Sequence, residues 1–138
     1  MPEVNYVAVL VAALASFLVG AVWYSPPLFA NPWMAENGKT MASVKSPSPP
    51  MGRLYATAFI TAFIAAFVMA GLLVTMQHHG LQTGLKRGFA AGAGWVAMCF
   101  ASSYAFEGKS LRHWAINAGY FVVQFTVMGA ILGVMNHW

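Results

Sequence analysis

Hydrophobic residues form four long runs along the chain, and polar residues collect in the segments between them. The runs are Val4–Trp23, Leu54–Met76, Phe89–Phe106 and Trp114–Met135, and none contains Asp, Glu, Lys or Arg in its interior. A helix needs about 20 mostly apolar residues to cross a bilayer, and none of the runs alternates as a transmembrane strand does. The pattern predicts an all-α membrane protein with four transmembrane helices in a single domain, residues 1–138.

The three connections between these runs predict how the helices are arranged. The first, Ser25–Arg53, is long and polar and contains the proline-rich sequence SPSPP, which favours extended chain. The other two, Gln77–Gly88 and Glu107–Arg112, are short. Because short links join antiparallel neighbours, we expect an antiparallel bundle in which the second helix packs on the third and the third packs on the fourth.

Positive charge predicts the orientation of the bundle in the membrane. The first and third connections hold most of the basic residues, whereas the second connection holds only Lys86 and Arg87. The basic residues of the first and third connections are Lys39, Lys45, Arg53, Lys109 and Arg112. Since loops rich in Lys and Arg stay in the cytoplasm, we expect the long first loop to be cytoplasmic and both termini to be outside.

Composition supports a membrane protein and excludes other classes. Hydrophobic residues make up 59% of the chain and charged residues 7%, whereas soluble domains carry about 25% charged residues. The net charge of +4 is scattered, so no basic run points to nucleic acid. The N-terminal segment carries Glu3 and lacks the basic start of a secretory signal, which predicts that the first helix is retained.

Small residues recur every four positions in two of the helices. Gly84, Gly88 and Gly92 form a double small-xxx-small repeat at the start of the third helix. Such repeats let two backbones approach closely within a membrane, so we expect another helix to lie in this glycine groove. The predicted partner is the alanine face of the second helix, formed by Ala58, Ala62, Ala66 and Ala70.

Two amides lie on one face of the fourth helix. Asn117 and Gln124 are seven residues apart, with Tyr120 between them. An unsatisfied amide in hydrocarbon costs several kcal/mol, so both should face protein or a polar cavity. Hydrogen bonds between helices are the favoured interpretation, and a polar cavity or pathway is the alternative. A second stripe of polar and small residues runs along the first helix and contains Asn5, Ser16 and Gly20.

The sequence WYSPP marks the point where the first helix leaves the hydrocarbon. Trp23 and Tyr24 prefer the headgroup zone, and Pro26 and Pro27 end the helix. A membrane boundary is sufficient to explain this motif, with Phe29 and Trp33 dipping back into the interface as a short apolar face. The alternative is a pocket in which Trp23, Tyr24 and Trp33 bind a lipid headgroup, a hydrophobic ligand or a partner helix.

Asn117 should begin the fourth helix on the same side of the membrane as WYSPP. We therefore expect it to contact Tyr24, or the backbone freed by Pro26 and Pro27, so that the two ends of the chain build one site. The first helix should supply part of the surroundings of the Asn117–Gln124 face, because it also carries polar residues deep in the membrane.

The sequence offers little for catalysis. Its three carboxylates, Glu3, Glu36 and Glu107, lie on opposite membrane faces, so no pair can act as acid and base in one site. A metal site formed by His78, His79 and His137 is the alternative to interfacial histidines without a ligand, which is the favoured interpretation. We therefore expect a protein that is not an enzyme, with no catalytic residue, metal or cofactor.

Two longer motifs stand out near the two ends of the chain: LVGAVWYSPPLFANPW, with Asn5 upstream, and FEGKSLRHWAINAGYFVVQFTVMGAILGV. They resemble motifs of a family of small bacterial membrane proteins known as domain of unknown function 1761. The matching residues are Gly20, Trp23, Tyr24, Pro26, Phe29 and Trp33 in the first motif, and Asn117, Gly119, Tyr120 and Gly129 in the second. The resemblance covers nearly the whole chain and implies four transmembrane helices. Together with the loop charges, it leads us to expect a multi-pass protein of the bacterial inner membrane with periplasmic termini. It implies no reaction, substrate or cofactor.

Three functions are compatible with these observations. The first is a membrane protein that assembles with itself or within a larger membrane complex. The second is a small transporter or channel whose pathway forms at an oligomer interface, lined by Asn5, Ser16, Asn117 and Gln124. The third is an accessory subunit that binds membrane lipid at the aromatic boundary. The candidate binding residues are Asn5, Trp23, Tyr24, Trp33, Asn117, Tyr120 and Gln124.

Overall fold

The computed structural model describes residues 3–45, 50–77 and 79–135, and the described chain consists of helices and short connections. Four helices are long and apolar enough to cross a membrane, which confirms the predicted architecture. We call them the first, second, third and fourth spans: Tyr6–Trp23, Met51–Thr75, Leu81–Glu107 and Leu111–Met135. Two short helices, Ala30–Glu36 and Met41–Lys45, lie in the first connection. Ser46 to Pro49 of the proline-rich sequence are outside the described residues.

The third span begins earlier than its hydropathy predicts. It starts at Leu81, after Gly80, whose φ of +101° is a backbone conformation that suits glycine. Lys86 and Arg87 therefore lie within the helix, and not in the connection where the sequence pattern placed them. Both residues are exposed, and their long side chains can carry the charge toward the membrane surface.

The third span also contains a feature that the sequence pattern does not predict. Residues Gly92–Val96 form a π-helical turn, in which the Ala97 N–H donates to the Gly92 carbonyl. Such turns insert one residue into a helix and shift the faces on either side of it. Trp95, which lies in this turn, is 67% exposed.

The fourth span is the centre of the bundle. It packs extensively on the third and first spans, and the first span also packs on the second. The described core lies where these helices meet and includes Val9, Ala12, Leu73, Met128 and Leu132. The second and third spans make few direct contacts with each other. The expectation that they are close neighbours was therefore wrong, although the third and fourth spans are packed together as predicted.

The glycine groove has a different partner from the predicted one. A Cβ atom on Gly84 or Gly88 would overlap a backbone carbonyl of the fourth span, at Gly129 and Phe125 respectively. A Cβ on Gly92 would lie 2.8 Å from the Cα of Val122. Glycines of the fourth span complete the contact, so the fourth span can approach more closely than the alanine face of the second span could.

That alanine face packs elsewhere. Ala66 and Ala70 are buried in the same cluster as Ala8 and Ala12 of the first span. Ala58, by contrast, is exposed. The small residues of the second span therefore serve contact with the first span and leave a gap near Ala58.

At each end of the bundle, a side chain forms a hydrogen bond between two elements. Asn5 caps the first span by accepting hydrogen bonds from the Val7 and Ala8 N–H groups, and its Nδ2 donates to the Met135 carbonyl at 2.9 Å. At the other end, the Ser110 hydroxyl donates to Glu36 Oε2 at 2.8 Å. The long connection and the turn between the third and fourth spans thus lie at the same end, which we call the loop end.

Candidate functional site

The WYSPP segment turns the chain back against the loop end of the bundle. The first span ends at Trp23, and the Phe29 N–H then donates to the Trp23 carbonyl at 3.1 Å. The rings of these two residues lie 4.6 Å apart. Trp33, on the following short helix, meets the edge of Tyr24 at a ring distance of 6.0 Å. The aromatic residues of this segment therefore pack on one another as a unit.

Aromatic rings and glycines interlock between the first and fourth spans. The Trp23 ring lies over Gly119, where an added Cβ would be 3.0 Å from the ring. Reciprocally, the Tyr120 ring lies over Gly20, where an added Cβ would be 3.0 Å from the hydroxyl. The Trp23 indole N–H donates to the Ile116 carbonyl at 2.9 Å. Each helix thus supplies both a ring and the glycine that receives the partner's ring.

Asn117 connects three elements through hydrogen bonds. The Tyr24 hydroxyl donates to Asn117 Oδ1 at 2.8 Å, and Asn117 Nδ2 donates to the Tyr104 hydroxyl at 2.8 Å. Burial raises the pKa of the Tyr24 hydroxyl well above its ordinary value, so the hydroxyl keeps the proton that it donates. The predicted contact between Asn117 and Tyr24 is confirmed. Tyr104, which the sequence analysis did not identify, extends it to the third span.

Gln124 is buried in the middle of the fourth span, and its Oε1 atom has no hydrogen-bond partner. Ser16 of the first span is also buried, and its hydroxyl donates to the Ala12 carbonyl of its own helix at 2.8 Å. The first and fourth spans meet at the Trp23–Ile116 contact at one end and at the Asn5–Met135 contact at the other. Counting helical turns along each span from these contacts places Ser16 and Gln124 at about the same depth in the bundle. As predicted, the amide lies within protein, but its oxygen is unsatisfied.

We expect Gln124→Met to stabilise the bundle by about 1 kcal/mol. The change keeps the length of the side chain and removes a buried oxygen whose desolvation nothing repays. Unfolding in SDS, followed by circular dichroism, measures the effect. Gln82→Met is the control because Gln82 is exposed on the third span. A Gln124→Met protein that is less stable than the wild type by a similar amount would show that the amide is satisfied by a buried water.

Two cavities adjoin at the loop end. The inner cavity has a volume of about 490 Å³ and lies between the first, second and fourth spans. It is lined by Phe17, Gly20, Ala21, Tyr24, Tyr55, Ala58, Ala62 and Tyr120. The outer cavity, of about 440 Å³, lies beneath the two short helices. Its lining is Tyr24, Pro26, Ala30, Trp33, Met34, Met41, Val44, Met51 and Tyr55.

Tyr24 and Tyr55 line both cavities, which therefore lie side by side, and we call the two together the tyrosine groove. From Tyr55 to Ala62 the inner cavity follows the second span for seven residues, or about 10 Å at the rise of an α-helix. Ala21 and Ala58, which line the groove, are exposed, so it opens sideways along the bundle. Its walls are mostly apolar, with tyrosine hydroxyls as the polar groups.

The predicted site residues fall into three places. Trp23, Tyr24, Trp33, Asn117 and Tyr120 come together at the loop end, and Gln124 lies deeper in the bundle. Asn5 is at the opposite end, where it caps the first span and contacts the fourth. Sequence analysis missed Tyr55, although a tyrosine one turn after the start of a transmembrane helix is a typical interface residue. His78 and His137 are outside the described residues.

Comparison with known proteins identifies the family of the chain. No curated protein and no solved structure matches it. A family model, described as protein of unknown function DUF1761, matches residues 7–133. This range contains the interlocked Trp23–Gly119 and Gly20–Tyr120 pairs and all but the outermost residues of the four spans. The chain is therefore a four-span membrane protein that belongs to the DUF1761 family.

Proposed function

We propose that this protein is a non-enzymatic accessory protein that binds one acyl chain of a membrane lipid in the tyrosine groove. The observation that carries the proposal is the adjacency of the two cavities, which share Tyr24 and Tyr55 in their linings. Each cavity falls within the range of about 300–1,000 Å³ that is usual for ligand pockets. Because the groove opens sideways, a lipid can enter from the bilayer without passing through water.

The chemistry of the groove suits an acyl chain better than a polar substrate. The lining of its inner cavity includes Phe17, Ala58 and Ala62, which offer no hydrogen bond from their side chains. The hydroxyl of Tyr24 is engaged with Asn117, and that of Tyr120 donates to the Ser16 carbonyl at 3.4 Å. The hydroxyls of Tyr24 and Tyr120 are thus used within the protein, and most of the surface of the groove is apolar.

Filling the groove should abolish lipid retention. Ala58→Leu adds apolar atoms to the inner cavity at an exposed position, so we expect a folded protein that copurifies with at least tenfold less tightly bound phospholipid. Native mass spectrometry of the detergent-purified protein measures the bound lipid. Ala56→Leu, on the same turn but pointing in another direction, is the control. Equal lipid retention by Ala58→Leu and the wild type would contradict lipid binding in the groove.

Assembly with further copies or with another membrane protein is a second candidate function. Gly71 and Gly94 favour it, because a Cβ on either residue would meet nothing within 4 Å. These glycines are not needed for packing within the described bundle, and small residues on an outer face allow a second helix to approach. The same mass spectra distinguish the candidates, since an oligomer and a lipid adduct differ in mass. We also propose that the protein lies in the cytoplasmic membrane with both termini outside, and the distribution of Lys and Arg among the loops supports this orientation.

A transport pathway is supported less well than lipid binding or assembly by the contacts of Asn5, Ser16 and Asn117. Asn5 and Asn117 hydrogen-bond to neighbouring helices, and Ser16 bonds to its own. A pathway through these residues would first have to break contacts that hold the first and fourth spans together. We therefore place transport behind lipid binding and assembly.

A further inference from the structure

Basic residues of the first connection lie next to residues that line the outer cavity of the tyrosine groove. Lys39 Nζ lies 5.2 Å from the centre of the Trp33 ring, which lines that cavity. The Lys39 N–H also donates to the carbonyl of Met34, another lining residue, at 2.9 Å. The position of Lys39 is therefore fixed at the rim by both its backbone and its side chain.

Lys45 adds a second positive charge at the same rim. It ends the short helix Met41–Lys45, whose residues Met41 and Val44 line the outer cavity. At 100° per residue, Lys45 lies on the same side of the helix as Met41. Lys39 and Lys45 are both exposed and so are free to meet a ligand.

The nearby acidic residue offsets only part of these charges. Glu36 belongs to the helix that carries Trp33 and is a single carboxylate, and its Oε2 accepts a hydrogen bond from Ser110, in the turn between the third and fourth spans. Arg53, in the first turn of the second span, contributes a further positive charge at the loop end. The rim of the groove therefore has an excess of positive charge, whereas its interior is apolar.

We infer that the tyrosine groove selects an anionic phospholipid, with the phosphate-containing headgroup at Lys39 and Lys45 and one acyl chain in the inner cavity. This inference rests on the proposed lipid binding and adds the class of lipid. Clusters of basic residues at a membrane surface attract anionic headgroups, and each Lys or Arg contributes about fivefold to the binding constant. The aromatic ring of Trp33 beneath Lys39 holds that charge at the height of the headgroups.

The test compares two lipids on one protein. The delipidated full chain is titrated with phosphatidylglycerol and with phosphatidylcholine, and native mass spectrometry gives the dissociation constant of each. We expect the wild type to prefer phosphatidylglycerol. The double variant Lys39→Gln, Lys45→Gln should bind phosphatidylglycerol about 25-fold more weakly and phosphatidylcholine unchanged. The preference of the wild type should also decrease as salt is raised.

A charge-matched control excludes a general effect of net charge. The double variant Lys86→Gln, Arg87→Gln removes the same charge from exposed positions on the third span, away from the groove, and should keep the preference. Loss of the preference in this control to the same extent would overturn the assignment of the headgroup. Equal affinities of the wild type for the two lipids would overturn it as well.

Failure of this inference is distinguishable from failure of the proposed function. If Ala58→Leu weakens both lipids but Lys39→Gln, Lys45→Gln changes neither, the groove binds acyl chains without selecting the headgroup. If Ala58→Leu changes neither lipid, lipid binding in the groove is itself wrong. A dimer that Ala58→Leu disrupts, with no bound lipid, would assign the groove to a second copy of the chain and would overturn both.

Discussion

Gly88→Ala should lower the free energy of unfolding by about 3 kcal/mol, the upper part of the range for overpacking a core. The new Cβ would overlap the Phe125 carbonyl oxygen and would lie 2.9 Å from its carbon and 3.0 Å from the Cα of Thr126. These are backbone atoms of the fourth span, which cannot move aside without separating the two helices. Unfolding in SDS, followed by circular dichroism, measures the loss.

Gly94→Ala is the matched control for this prediction. It is the same substitution in the same span, but its Cβ would meet nothing within 4 Å. Alanine is favoured over glycine in a helix by about 0.5–1 kcal/mol, so Gly94→Ala should leave stability unchanged or raise it slightly. If both variants unfold at the same SDS concentration, the contact between the third and fourth spans is looser than the structure indicates.

Asn117→Leu should destabilise the loop end by about 2–3 kcal/mol. The change removes the partner of both the Tyr24 and the Tyr104 hydroxyl, and a buried hydroxyl without a partner costs about 1–3 kcal/mol. Because Tyr24 lines both parts of the tyrosine groove, we also expect weaker lipid retention. SDS unfolding and native mass spectrometry of the same preparation measure the two effects.

A double-mutant cycle separates the hydrogen bond from other effects of the change. Tyr24→Phe alone leaves Asn117 Oδ1 without its donor, and the double variant Tyr24→Phe, Asn117→Leu removes both groups. We expect a coupling energy of about 1 kcal/mol, within the range measured for hydrogen bonds between membrane helices. Additive effects of the two substitutions would show that Tyr24 and Asn117 do not depend on each other for stability.

The four spans could be predicted from the sequence because the energetics of a bilayer act on each segment separately. A run of about 20 residues without charge has to form its hydrogen bonds internally, whatever its neighbours are. The start of the third span was the exception, since Lys86 and Arg87 lower the hydropathy of a segment that is helical. Hydropathy indicates which part of a helix lies in lipid, but it does not indicate where the helix begins or ends.

The contact between Asn117 and Tyr24 could also be predicted from the sequence. An amide in a membrane requires a partner, and few polar groups occur at its depth on the expected side. The same reasoning placed Gln124 inside the bundle, but it wrongly implied that the amide would be satisfied. Burial of a side chain follows from its chemistry, whereas the presence of a donor at the right distance follows from the packing around it.

Sequence alone therefore determined the membrane class, the number of spans and the chemical nature of the loop-end site. The tertiary structure alone decided that Gly84 and Gly88 pack on the fourth span, and that a gap beside Ala58 becomes a groove with Tyr24 and Tyr55. The physical reason is that lipid and protein are equally apolar, so hydrophobicity does not select the partner of a membrane helix. That choice depends on how the shapes of two surfaces fit, which is a property of the pair and not of either segment.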